Sequence, residues 1–265
     1  WLVLDYDKQG HCVTLTINRP DMRNALGEPG DGDVFAEACA RINQDRSARC
    51  VILTGAGSAF SAGGNIKAMQ EGRAPFGGPG VHIADSYRQG IHRIIRSLWQ
   101  LEVPAIAAVN GPAIGLGNDV ASLCDIRIAA KSAIFGATFL KIGLIPGDGG
   151  AWLLPRQIGL SRASELLFTG KTIPAKTAAE WGLVSEVVDD DTLMETARAL
   201  ADEICAQSPE ALRAAKRLLR SGQSASFDTV MEMSATTQAL MHQMSDHQAA
   251  IRAMLDKVEA DYKDE

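Results

Sequence analysis

Two short apolar runs, each feeding a glycine-rich loop and then a helical pattern, constrain this chain more than any other feature. The first is Cys50-Val-Ile-Leu-Thr54, which enters Gly55-Ala-Gly-Ser-Ala-Phe-Ser-Ala-Gly-Gly-Asn-Ile-Lys67. The second is Ala105–Val109, which enters Asn110-Gly-Pro-Ala-Ile-Gly-Leu-Gly-Asn-Asp-Val120, with a short helix expected near 117–123. Brief apolar runs bounded by turn residues read as buried strands. Two such units side by side put two loops at the same end of adjacent strands, and open α/β sheets bind ligands in that kind of crevice. The expected class is α/β.

Around these units the pattern continues. Residues 2–6 and 12–18 read as strands about the turn Asp7-Lys8-Gln9-Gly10, because Val13, Leu15 and Ile17 alternate with Thr14 and Thr16. Residues 33–46 read as a helix with Val34, Ala38 and Ile42 on one face, Asp31 and Asp33 at its start, and Arg41 and Arg46 near its end. Residues 70–80 hold four Gly and two Pro and read as a mobile loop of the kind that lies beside a site. A helix over 82–101 and a strand over Asp125–Ala129 are expected. Beyond about residue 190 the strand pattern stops, and helices are expected over 191–206, 208–221 and 226–259. This divides the chain into a core, 1–190, and a helical region, 191–265, whose apolar side chains read as an assembly surface.

Composition removes several functions. A net charge of −6 provides no basic field for nucleic acid or an anionic membrane. Five cysteines, odd in number and without CxxC spacing, argue against a disulfide framework and a zinc site. No apolar run approaches a membrane span. The chain opens at Trp1 rather than Met, which leaves room for a short native leader. Nothing present looks like a signal peptide, and the expected compartment is the cytoplasm.

The glycine-rich loops carry the chemistry. The first fails the dinucleotide fingerprint and lacks the GKS or GKT of a phosphate loop. Its Ala62-Gly63-Gly64 consists of small residues that let a backbone N–H approach a ligand closely. The second is a turn entering a helix, where unpaired N–H groups form an anion site. An oxyanion hole needs two preorganised donors aimed at one oxygen, and each loop could provide one. Taken singly, either loop also reads as an ordinary α/β turn.

Four segments in order resemble the signatures of the crotonase (enoyl-CoA hydratase/isomerase) family: Asn18-Arg-Pro-Asp-Met-Arg-Asn-Ala-Leu26, Ala59-Phe-Ser-Ala-Gly-Gly-Asn-Ile-Lys67, Ala108-Val-Asn-Gly-Pro-Ala-Ile-Gly-Leu-Gly117 and Gly143-Leu-Ile-Pro-Gly-Asp-Gly-Gly150. Thr169-Gly-Lys and Ala179-Glu-Trp-Gly-Leu-Val184 fit the same pattern, so the resemblance spans roughly residues 10 to 260. It implies a spiral of stacked ββα units with a C-terminal helical trimerisation region, usually a homotrimer or a dimer of trimers. It further implies an acyl-CoA thioester substrate, with no cofactor beyond the coenzyme A that the substrate carries. The resemblance assigns the backbone N–H groups of Gly64 and Leu116 to the oxyanion hole. It also sets Arg23, Ala25, Ala62, Gly64, Ile66 and Lys67 along the bound CoA or acyl group. Arg23 and Lys67 are reasonable phosphate partners, although bare residues of these types are more often solvated surface charges.

Family hydratases use two glutamates. The first aligns with Asp119, one methylene shorter; the second aligns with Phe139, which transfers no proton. Syn-hydration is therefore in doubt, and Asp148 is the expected substitute, since its flanking glycines let the turn present the carboxylate. Dienoyl-CoA isomerases likewise pair acids at the positions of Asp119 and Asp148, while keeping the glutamate absent here. The expected activity is hydration or double-bond isomerisation of an enoyl-CoA with Asp119 and Asp148 as acid–base groups. One rival rests on His92, which falls where 4-chlorobenzoyl-CoA dehalogenases place a catalytic His. It would pair with Asp148 in dehalogenase-like or C–C-cleaving hydrolysis. As a helix residue among apolar neighbours, His92 also reads as structural. The other rival is an acyl-CoA-binding protein without catalysis.

Overall fold

The computed structural model of the chain describes residues 3–263. The expected strand start at Leu2 lies outside these residues, as do the outermost two residues of each of the two expected regions.

A hairpin of β1 (Leu4–Gln9) and β2 (Cys12–Ile17) opens the fold. The strand persists through Asp7-Lys8-Gln9, read from sequence as a turn, because Lys8 pairs with Val13 and Gln9 with Cys12. The turn falls at Gly10 and His11, where Gly10 takes φ +57°, a conformation open to glycine. β3 (Cys50–Gly55), β4 (Ala105–Val109), β6 (Ile126–Ala130) and β9 (Glu186–Val188) add to the hairpin in parallel, giving one sheet in the order β1-β2-β3-β4-β6-β9. A sheet covered on both faces needs apolar residues at every position of its central strands. One face, with Val51, Leu53, Ala105, Ala107 and Val109, packs against α1 (Asp31–Gln44) and α4 (Ile91–Trp99). The other, with Cys50, Ile52, Ile106, Ala108, Ile128 and Ala130, packs against α9 (Leu193–Cys205). α9 meets it through Leu193, Ala197, Ala201 and Cys205, spaced four apart on one helical stripe.

After each long strand the chain bends into a second, smaller layer. β5 (Ala113–Ile114), β7 (Ile134–Gly136) and β8 (Thr172–Pro174) form a three-stranded sheet. Single bridges Ser61↔Ala113 and Leu26↔Gly64 extend its layer toward the first units. The repeated strand–short strand–helix unit is the stacked ββα architecture expected of the chain. α5 (Leu116–Leu123) follows β5, and the 3-10 turn Phe139–Ile142 follows β7. α6 (Gly150–Ile158), α7 (Leu160–Thr169) and α8 (Ala175–Glu180) fill residues for which the sequence reading assigned no elements.

Two expected helices are each divided. The helix read over 82–101 becomes α3 (Gly80–Gln89) and α4, parted at Gly90 with φ −100° and ψ −91°. The break lets α1 come close: a Cβ on Gly32 would stand 2.7 Å from Gly90 O. The helix read over 226–259 becomes α11 (Phe227–Gln243) and α12 (Ser245–Asp256), parted at Met244 in extended conformation. α12 starts at its own acid, Asp246, which is buried and accepts a 2.9 Å bond from Ser208 Oγ at the entry to α10 (Pro209–Gly222). α11 buries none of its residues, and Leu240, Met254 and Leu255 stand exposed. No helix of the described residues is long and apolar enough to cross a membrane.

Candidate active site

The two glycine-rich loops meet in the second layer. Ser61 N donates to Pro112 O and Ile114 N donates to Ser61 O, both at 3.0 Å. On the other side Gly115 N donates to Gly136 O at 2.7 Å. The contact is too close for side chains. Gly63, at φ +88°, would place a Cβ 2.4 Å from Ile114 O, and Gly117 would place one 2.3 Å from Ser61 O. Asn24, fully buried, ties the first family-like segment to this junction through Nδ2 bonds to Ala56 O and Ala59 O at 2.8 and 2.7 Å. Sequence reasoning passed over Asn24, although it lies between Arg23 and Ala25, both of which it singled out.

This junction frames the two expected donors. Leu116 N–H opens α5 and has no helical acceptor by position. Gly64 is itself the bridge partner of Leu26, beside the bond from Leu26 N to Gly63 O. Among the described residues neither N–H donates to a protein acceptor. A Cβ on Gly63 would stand 3.3 Å from Leu116 N, so the two loops run against each other where the donors emerge. Two preorganised N–H groups left without an internal partner suit a developing oxyanion.

An apolar cavity of about 460 Å³ is lined by Ile66, Met69, Phe76, Ile83, Tyr87 and Leu144, among others. It abuts the Gly64 donor, since Met69 Cε and Phe76 Cζ lie 2.7 and 3.8 Å from where a Gly64 Cβ would stand. Phe139 packs over the other donor loop, 3.8 Å from the corresponding position on Gly115. The residues between α2 (Ile66–Gln70) and α3 supply Phe76 to this wall. Phe76 lies in the 70–80 loop expected beside the site and Tyr87 on the expected 82–101 helix, but neither was named as a site residue, since neither sits in a recognisable motif. Ala25 is buried and Ala62 half-buried, whereas Arg23, Ile66 and Lys67 are exposed. Neither Arg23 nor Lys67 forms an ion pair among the described residues, so both cations are available to a ligand. The described residues contain no cluster of His, Cys, Asp and Glu able to hold a metal ion.

Both expected acids are buried, and the turn before α6 brings them together. Asp119, on α5, has no exposed surface; its Oδ2 accepts a 2.9 Å bond from Gly150 N, and Asn118 Nδ2 stands 3.4 Å from Oδ1. Burial, reinforced by the charge of Asp148 and opposed by the Gly150 N–H and the Asn118 amide, pushes its pKa up to about 8. Asp148 is only 5% exposed, and burial pushes its pKa up to about 6. Two carboxyls that repel one another cannot both ionise freely. At neutral pH the deeper Asp119 therefore keeps its proton and Asp148 is mainly a carboxylate. The same surroundings, burial first and then Asp148, raise the Tyr87 phenol pKa.

His92 does not bond to Asp148 among the described residues. Its Nε2–H donates to Gly147 O at 2.9 Å, and its ring meets the Tyr87 ring in an edge contact with centroids 5.9 Å apart.

The layered ββα architecture thus sets two loop N–H groups without internal partners and two carboxyls split in proton affinity around an apolar cavity, an arrangement suited to acid–base chemistry. The family model described as Enoyl-CoA hydratase/isomerase matches residues 7–265. The 1,2-epoxyphenylacetyl-CoA isomerase of Escherichia coli K12 is 36% identical over 255 residues, 96% of this chain and 95% of the relative. The short-chain-enoyl-CoA hydratase of Clostridium acetobutylicum is 35% identical over 257 residues, covering 95% and 94%. The crystal structure of an enoyl-CoA hydratase from Bacillus anthracis superposes with a TM-score of 0.92 at 34% identity, over 99% of this chain and all of that one. The chain belongs to the enoyl-CoA hydratase/isomerase (crotonase) family, and it is an enzyme of hydratase or isomerase type.

Proposed function

We propose that this protein is an acyl-CoA isomerase that shifts a double bond through a thioester enolate, with the cytoplasm as its expected compartment. The observation that carries this reading is the acid pair: Asp148 with a pKa of about 6 and Asp119 of about 8, on either side of one turn. Pairs of acids whose surroundings separate their proton affinities divide into a base and an acid. Asp148 as carboxylate takes the α-proton of a β,γ-unsaturated acyl-CoA. The C–H electron pair moves into the thioester carbonyl, whose oxygen is held by Gly64 and Leu116 N–H. The pair then returns to form the α,β double bond, and the γ-carbon takes a proton from Asp119. Proton exchange between the acids and solvent resets the pair.

Isomerisation needs no water at the reacting carbons. Phe139 stands where family hydratases carry a second glutamate, and its ring lies on the oxyanion loop, where it offers neither proton nor hydrogen bond to a nucleophilic water. One of the relatives is itself named an isomerase, of an epoxidised aromatic acyl-CoA. Coenzyme A enters as part of the substrate, with Arg23 and Lys67 beside its phosphates, and no cofactor takes part.

The test incubates the enzyme with short, branched and aromatic β,γ-enoyl-CoAs in deuterium oxide, following α-proton exchange, double-bond migration and hydration separately. Exchange and migration outpacing hydration support the reading; hydration as the main reaction overturns it.

A further inference from the structure

We infer that His92 is a positioning residue: it fixes the turn carrying Asp148 by holding the Gly147 carbonyl, and it takes no part in proton transfer itself. This rests on the isomerase reading for the role of Asp148.

The Asp148 carboxylate accepts no hydrogen bond among the described residues, and burial alone accounts for its raised pKa. Nothing grips the oxygens, so their place is set by the backbone on either side. That backbone is glycine-rich, Gly147-Asp148-Gly149-Gly150, with Gly149 at φ +108°. Glycine flanks leave many conformations open in the absence of outside restraints.

Backbone bonds from Gly147 N to Ile145 O and from Trp152 N and Leu153 N to Gly149 O shape the turn, and two side chains clamp it from opposite sides. Asp119 on α5 accepts from Gly150 N at 2.9 Å, two residues after Asp148. His92 on α4 donates to Gly147 O at 2.9 Å, one residue before it. The imidazole is half-buried at the second position of α4, one residue after Ile91, which is anchored in the core (1% exposed), and edge-on to the Tyr87 ring. Its orientation is therefore set by packing as well as by the bond. A carbonyl partner requires Nε2 to carry the proton, so this nitrogen cannot act as the base of a His–Asp dyad while the bond stands. Tyr87 also lines the acyl cavity, so one chain of contacts runs from the acyl wall through His92 to the base.

The test compares His92→Phe with His92→Gln. Phe keeps a ring against Tyr87 and loses the donor; Gln restores an N–H at nearly the same reach. Kinetics use a short β,γ-unsaturated acyl-CoA, with wild-type migration and α-proton exchange measured alongside. We expect His92→Phe to lower kcat on the order of tenfold to a hundredfold with KM little changed, the scale of a misplaced reacting group. His92→Gln should recover most of that loss. Amide hydrogen exchange of the peptide spanning 143–150 should quicken in His92→Phe and return toward wild type in His92→Gln. Wild-type kcat and exchange in His92→Phe would overturn the inference. So would a Gln variant as inactive as the Phe variant with wild-type exchange, the pattern of a direct proton carrier. A wild type inactive in both assays would refute the isomerase reading instead, and the hydrogen-exchange comparison would still decide whether His92 holds the turn.

Discussion

Gly150 N donates to Asp119 Oδ2 at 2.9 Å, joining the start of α6 to a carboxyl 31 residues earlier in the chain. The bond holds a fully buried acid against the turn that carries a second one, so the protonation of Asp119 is tied to the geometry of Asp148.

Replacing Asp148 by Asn preserves shape and turn preference but removes the proton acceptor. The chemical step should slow by a factor on the order of a hundred or more, with acyl-CoA binding nearly unchanged. Calorimetric binding alongside single-turnover migration checks this, and undiminished turnover would remove Asp148 from the mechanism.

The pH profile of kcat/KM should be bell-shaped. Activity should rise through about pH 6 as Asp148 ionises and fall through about pH 8 as Asp119 gives up its proton. Asp119→Asn mimics the neutral acid and cannot release a proton. It should lower the plateau on the order of tenfold or more and abolish the upper limb. An upper limb that survives in this variant would assign it to another group.

Stability should respond to pH in a definite direction. Asp119 titrates near 3.9 in an unfolded chain and near 8 when folded. Its folded form thus binds the proton more tightly. The stabilisation is complete below about pH 4 and is lost as pH rises through about 8, at about 1.4 kcal/mol per unit. Asp148 adds a loss of the same sign, finishing near pH 6. Urea midpoints measured between pH 4 and 8 should fall less steeply in Asp119→Asn than in wild type.

Coenzyme A affinity should weaken with added salt, because its phosphates meet cations exposed to solvent. Lys67→Ala should weaken binding more than Lys176→Ala, since both lysines are exposed and only the first adjoins a residue, Ile66, that lines the apolar cavity. Equal losses would take Lys67 out of the site. Lys216 would be unsuitable as the control: it is 6% exposed and bonds Val103 O and Asp125 at 2.7 Å.

We predict a homotrimer or homohexamer assembled through the C-terminal helices. α11 buries nothing within the chain, and Phe227, Leu240, Met254 and Leu255 are 62–82% exposed. Sedimentation at micromolar concentration should find no monomer, and Leu255→Asp should shift the distribution toward smaller species. A compact wild-type monomer would contradict this.

The sheet was legible because its central strands are buried on both faces, which leaves apolar runs such as Cys50–Leu53 that few other structures accommodate. The close meeting of the two glycine-rich loops was legible because Gly63 and Gly117 approach backbone too closely for any side chain. The family resemblance singled out Asp119 and Asp148 as candidate acids, but the sequence does not carry their proton affinities. Those affinities depend on the depth of Asp119 and its distance from Asp148, which only the fold sets. His92 could be noticed by position, but the sequence does not say that its partner is the carbonyl of Gly147. The breaks at Gly90 and Met244 were hidden because apolar periodicity continues across them, while a single residue's backbone angles redirect the chain.

The apolar cavity beside Gly64 is not distributed evenly over the fold. Six of its lining residues, Ile66, Met69, Gln70, Phe76, Ile83 and Tyr87, fall within one stretch that contains no strand, and α3 in that stretch buries none of its residues. We predict that acyl preference is written mainly on this stretch, which lies outside the sheet and meets the turn of Asp148 through the Tyr87–His92 contact. Exchanging residues 66–83 with those of a relative, which keeps Tyr87 against His92, should transplant substrate taste while leaving the chemical step in place, which gives this scaffold a short route to new specificities.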